Sequence, residues 1–183
     1  LRLSIEWSRV EPEPGTFDNA ALDRYREMLQ GLQERGLEPM VTLHHFSNPL
    51  WLERQGAWEN VGTIAYFTRY VERVVRALGE QATFWCTINE PNVYAIMSYL
   101  MGLFPPGQQD LKATRTVLRN LLKAHGAAYR AIHRIQPAAR VGLAHNLRIF
   151  DPANPRSLLD RLVARVQDIG YNRSTLSAVW RGW

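Results

Sequence analysis

The feature that most constrains this chain is an alternation, repeated four times, of a short apolar run with a longer amphipathic stretch. Apolar runs of strand length joined by segments of helical spacing argue for a parallel β/α architecture, because a parallel strand can be followed by another only after a crossover, usually a helix.

Residues 1–6 alternate apolar and polar side chains and are stopped by Pro12, Pro14 and Gly15, which predicts a first strand. Asp18 then stands where a helix N-cap belongs, with Leu22, Tyr25, Met28, Leu29 and Leu32 at helical spacing up to Gly36. Residues 39–43 predict a second, buried strand ending in His44 and His45, and Asn60 opens a helix carrying Ile64, Phe67, Val71, Val74, Val75 and Leu78 as far as Gly79. A third strand over 83–88 closes in Asn89, Glu90 and Pro91. A short helical stretch follows near 93–101, then a long helix over 110–135, a fourth strand over 140–144 and a last helix over 158–180. Four such units fit either a barrel or an open doubly wound sheet, but no Gly-rich phosphate loop follows any strand, which disfavours a nucleotide-binding fold.

Composition excludes other classes. With 183 residues, 46% hydrophobic and 21% charged, the chain has a globular composition and not a disordered one. No run approaches the roughly 20 apolar residues of a membrane span, and no leader pattern opens the chain, so no membrane partner is expected. The net charge of +5 is spread over predicted helices and mixed with Asp and Glu, the pattern of a solvated surface and not of a nucleic-acid interface. Cys86, the single cysteine, lies in an apolar run; it reads as core packing and points to a cytoplasmic protein.

In a β/α barrel the chemistry sits at the C-terminal ends of the strands. Here those ends carry Glu6-Trp7-Ser8-Arg9, His44-His45, Asn89-Glu90 and His145-Asn146. Side chains alternate along a strand, so Asn89 and Glu90 can share one cleft only if the strand bulges or ends there, and Pro91 supplies a break. Two readings of Glu90 stand side by side: a catalytic carboxylate, or a carboxylate favoured by the dipole of the helix that follows. His44 and His45 have no third ligand at zinc-site spacing, so neither metal nor another cofactor is expected. Trp7, Trp51, Trp58 and Trp85 suit core packing first and sugar rings second.

The ordered blocks Leu1-Arg2-Leu3-Ser4-Ile5-Glu6-Trp7-Ser8-Arg9-Val10, Thr42-Leu43-His44-His45-Phe46, Thr87-Ile88-Asn89-Glu90-Pro91, Leu103-Phe104-Pro105-Pro106-Gly107 and Gly142-Leu143-Ala144-His145-Asn146 resemble glycoside hydrolase family one, the beta-glucosidase family. The resemblance implies an α/β fold: a fragment of a (β/α)8 TIM barrel, strands two to five with their helices, not closed. Residues 1–183 would form one partial catalytic domain, truncated at both ends. It implies retaining hydrolysis of β-glycosides or oligosaccharides in a longer parent. Glu90 would be the general acid/base, Asn89 and His45 would bind sugar hydroxyls, and Arg2 would orient the nucleophile. No segment resembles the nucleophile motif, so the chain alone is expected to be inactive, with its open barrel edges prone to self-association. Phe46-Ser47 departs from the Trp-Asp of many members. A catalytically silent sugar-binding or structural remnant and a 6-phospho-β-glycosidase are the alternative readings.

Overall fold

The computed structural model describes residues 1–181. Strands β1 (Arg2–Ser4), β2 (Met40–His44), β3 (Phe84–Asn89) and β4 (Arg140–Ala144) form one sheet in the order β1-β2-β3-β4, with every neighbouring pair parallel. This order decides between the two architectures that the sequence leaves open. Crossovers between parallel strands are right-handed, so strands added always on the same side place every helix on the same face, whereas a doubly wound sheet reverses direction and is covered on both. Helices α2 (Asn19–Gln33), α4 (Thr63–Leu78) and α6 (Leu111–Ile135) accordingly pack side by side, α4 between the other two. Facing them, Val41, Leu43 and Trp85 are buried, while the opposite face carries Arg2, Met40, Phe84 and Arg140 along an open depression.

The helix starts follow their caps. The Asp18 carboxylate accepts from Ala21 N, and that of Asp110 from Lys112 N and Ala113 N, satisfying donors that the first turn leaves free. Asn60 is not the first helical residue. Its side chain accepts from Gly62 N, and α4 begins at Thr63. Met28 leaves the buried stripe of α2 and is exposed.

Two short helices at the strand exits escape the periodicity, α1 (Trp7–Val10) after β1 and α3 (Leu50–Arg54) after β2; the helical stretch expected near 93–101 opens as α5 (Pro91–Ala95) after β3. Residues 96–100 continue α5 as a π-helical turn, and the expected single helix over 158–180 is two, α7 (Leu158–Asp168) and α8 (Ser174–Arg181), joined by a second π-helical turn at Ile169–Arg173.

The strand exits are locked from the helix side. Tyr70 of α4 donates to the carbonyls of Ile5 and Leu43, at 3.2 Å each, and so bridges the ends of β1 and β2. Trp7 stacks on Tyr70 with centroids 5.0 Å apart and meets Trp51 edge-on at 5.9 Å. Its indole N–H donates to the fully buried carboxylate of Glu11 at 2.8 Å, which also accepts from Gly15 N and pairs with Arg69. A buried carboxylate is tolerable only when its lone pairs are engaged in this way. Trp7→Phe removes one donor and leaves a cavity among Trp51, Trp58 and Tyr70, and should lower the unfolding free energy by about 2–4 kcal/mol, the cavity adding to the cost of leaving a buried acceptor short of a partner. Urea unfolding of the two forms measures this, and a loss below about 0.5 kcal/mol would mean that water replaces the indole.

Candidate active site

The site forms where β3 stops being regular. Cys86 pairs with Gly142, but the next pairing is Asn89 with Ala144, so three steps along β3 answer two along β4. This bulge brings Asn89 onto the open face with Arg2, and Glu90 then leaves the strand at φ 41°, ψ 63°, a left-handed conformation that a residue with a Cβ rarely adopts. The Glu90 N–H donates to Ala144 O at 2.8 Å, holding the turn against β4, and Pro91 starts α5 without needing a donor. The Glu90 side chain does not cap α5. Its Oε1 instead accepts from Asn146 Nδ2 at 3.2 Å, across the exit of β4.

Arg2, at the start of β1, reaches over the open face of the sheet. Its Nε donates to Thr42 Oγ1 at 2.8 Å and its Nη2 to Asn89 Oδ1 at 2.6 Å. His45 is exposed just past β2, its Nδ1 2.8 Å from Ser4 Oγ. Burial and then the nearby Arg2 charge lower its pKa and favour the neutral ring, while Glu90 acts in the opposite direction. The four residues singled out in the sequence, Arg2, His45, Asn89 and Glu90, thus stand together at one end of the sheet.

Ser47 and Glu6 belong to the same rim. The Ser47 hydroxyl lies 3.0 and 2.8 Å from the two Glu6 carboxylate oxygens, and Ser8 donates to Glu6 at 3.0 Å. An aspartate at position 47 would set a second negative charge against Glu6, so the departure at Ser47 is matched to Glu6. Phe46, the other departure, takes a left-handed φ of 71° and stacks on Tyr94 with centroids 6.2 Å apart.

His44 is no part of the open site. It is buried, with Nε2 3.0 Å from Asn48 Oδ1, in a network where Asn48 Nδ2 donates to Tyr94 OH and to Glu53. Trp7, Trp51, Trp58 and Trp85 are all core, offering no face to a sugar. Asn146 and Tyr171 are the partners that sequence reasoning missed as site residues: Tyr171 OH donates to Asn146 Oδ1 at 2.7 Å. They lie 25 residues apart, so no local pattern joins them. Among the described residues no cluster of three or more His, Cys, Asp or Glu could hold a metal ion, and no helix is long and apolar enough to cross a membrane.

The model of Glycosyl hydrolase family 1 matches residues 1–182. The chain belongs to that family. It is 36% identical over 157 residues to beta-glucosidase A of Acetivibrio thermocellus, covering 85% of this chain and 35% of that protein. It is 32% identical over 187 residues to the 6-phospho-beta-galactosidase of Staphylococcus epidermidis, covering 100% of the chain and 39% of the relative. The fold superposes on the beta-glycosidase from Pyrococcus horikoshii with a TM-score of 0.93 at 38% identity, over 99% of this chain and 42% of that one. The chain therefore spans about two fifths of the length of these relatives, and its open sheet is a partial TIM barrel of this family.

Two buried histidines, His44 and His125, give the fold a measurable pH dependence. Burial brings His44 and His125 from 6.5 down to about 4, His125 with its Nδ1 2.8 Å from Thr87 Oγ1. Between those values the unfolded chain binds protons that the folded chain refuses, so this stability is present above 6.5 and is lost as pH falls towards 4. Each histidine contributes a slope of up to about 1.4 kcal/mol per pH unit. Urea unfolding should show the decline, and His125→Gln should make it shallower. Equal slopes in the two forms would mean that the fold does not hold His125 neutral.

Proposed function

We propose that the protein carrying these residues hydrolyses β-glycosidic bonds with retention of configuration, Glu90 acting first as general acid and then as general base. The observation that carries this reading is the Glu90 carboxylate itself: it is set at a strained strand exit beside Asn89, and is spent on neither a helix terminus nor an ion pair. Strain of this kind concentrates at functional sites.

In the proposed mechanism Glu90 gives its proton to the glycosidic oxygen while a second carboxylate attacks the anomeric carbon; in the second step it takes a proton from the water that releases the sugar. Arg2 engages Asn89 Oδ1, so the amide nitrogen of Asn89 is the end left to donate to the sugar 2-hydroxyl, a contact that strengthens in the transition state. Neutral His45, tied through Nδ1 to Ser4, offers Nε2 to another hydroxyl of the same ring. Arg2, besides holding Asn89, orients the nucleophile. Residues 1–183 act as one part of a catalytic domain and need no cofactor. The buried, unpaired Cys86 supports a cytoplasmic location.

Because no segment of the chain resembles the nucleophile motif, the 183 residues by themselves should not turn over an aryl β-glucoside. They should self-associate through the open edges of β1 and β4. Sedimentation of the isolated chain tests the second point; a monomer at tens of micromolar contradicts it. A substrate phosphorylated at the sugar 6-position is a second reading, supported by the similarity to the Staphylococcus epidermidis relative. In the full-length protein, Glu90→Gln should lower kcat/KM on phenyl β-glucoside, or on its 6-phosphate, by roughly 10²–10⁴. Undiminished activity would remove Glu90 from the mechanism, and Glu90-dependent turnover by the isolated chain would overturn its inactivity.

A further inference from the structure

The Glu90 carboxylate has two oxygens, and the structure treats them differently. Oε1 accepts from Asn146 Nδ2 at 3.2 Å. Asn146 is a primary amide, with one end that only accepts and one that only donates, so its orientation determines what Glu90 meets. That orientation is set from behind, where Tyr171 OH donates to Asn146 Oδ1 at 2.7 Å. With Oδ1 engaged, the end turned to Glu90 is the donor, and an oxygen that accepts from an N–H does not carry the transferable proton.

Tyr171 is itself held in place. Its ring meets Phe150 edge-on with centroids 5.7 Å apart, and the Arg148 guanidinium lies 5.2 Å from its centroid. Asn92, buried in the first turn of α5, donates through Nδ2 to the carbonyls of both Asn146 and Tyr171, at 3.0 and 3.2 Å. The exit of β4, the helix that follows Glu90 and the π-helical turn carrying Tyr171 are thereby joined around one amide. π-Helical turns often mark functional positions, and this one presents the tyrosine hydroxyl to Asn146.

We propose that Asn146 and Tyr171 are positioning residues that reserve Oε1 of Glu90 as an acceptor and confine proton transfer to Oε2. The proposal rests on the reading of Glu90 as general acid/base. In the first step the Oε2–H bond breaks, the proton joins the glycosidic oxygen as its bond to the anomeric carbon breaks, and Glu90 is left as a carboxylate. In the second step water gives a proton to Oε2 as its oxygen bonds to the anomeric carbon and the carboxylate nucleophile departs.

A leaving group that needs protonation separates this role from a merely structural one. In the full-length protein, Tyr171→Phe and Asn146→Ala should lower kcat/KM on phenyl β-glucoside by about tenfold or more, and by less than about twofold on 2,4-dinitrophenyl β-glucoside, which departs without an acid. Equal losses on both substrates, or no loss on either, would overturn the proposal. Glu90→Ala on the same pair of substrates keeps the two readings apart. If it shows no dependence on the leaving group, the assignment of Glu90 itself fails; if it shows that dependence and the Asn146 and Tyr171 variants do not, only the positioning role fails.

Discussion

Parallel pairing requires each strand to be followed by a crossover that returns the chain to the starting edge of the sheet, and this brings all four strand exits to the same end. The candidate site depends on that constraint. His45, Asn89, Glu90 and Asn146 stand at that end because each closes or follows a strand, and Arg2, at the start of β1, joins them by reaching over the open face to Asn89. The constraint fixes only the neighbourhood. Tyr70, bridging Ile5 and Leu43, and the Trp7–Glu11–Arg69 cluster behind it tie the first two exits to each other and to α4.

Within that frame, Glu90 combines three local departures from regularity. The register break in β3 turns Asn89 to the open face, the left-handed backbone swings Glu90 out of the strand, and Pro91 lets a helix begin without a donor at its first residue. Each departure removes something an ordinary strand end would have, and together they leave a carboxylate that is restrained but not consumed. Arg2 and Asn146 supply the restraint from the two sides, one through Asn89 and the other directly. Aspartate or glutamate at a helix start usually gains from the helix dipole, but the Glu90 side chain makes no cap bond to α5 and turns instead to Asn146.

Much of this was legible in the sequence. Alternation and short apolar runs gave the strands to within a residue or two, and 140–144 is the observed β4. Asp18 marked a helix start because a capping carboxylate has a physical task there. What stayed hidden was structure without a period: the short helices α1 and α3 at the first two exits, and the π-helical turn that splits the last helix. Asn60 misled because a short polar side chain that bonds the backbone two residues on is as good a turn former as a cap. The candidate residues Arg2, His45, Asn89 and Glu90 came from a resemblance to family motifs, and the bulge that lets Asn89 and Glu90 share a cleft could only be stated as a requirement. Asn146 lay in a polar strand exit whose role needed Tyr171 to become visible.

The measurement that tests the account most directly is the distance between carboxylates in a crystal structure of the full-length protein. A retaining glycosidase with Glu90 as acid/base requires a second carboxyl group about 5–5.5 Å away across the barrel. Finding one at that distance, with Oε1 of Glu90 still on Asn146, is the predicted result. A separation of about 6.5–9.5 Å would contradict retention, and a cleft with no carboxylate facing Glu90 would contradict catalysis by this site.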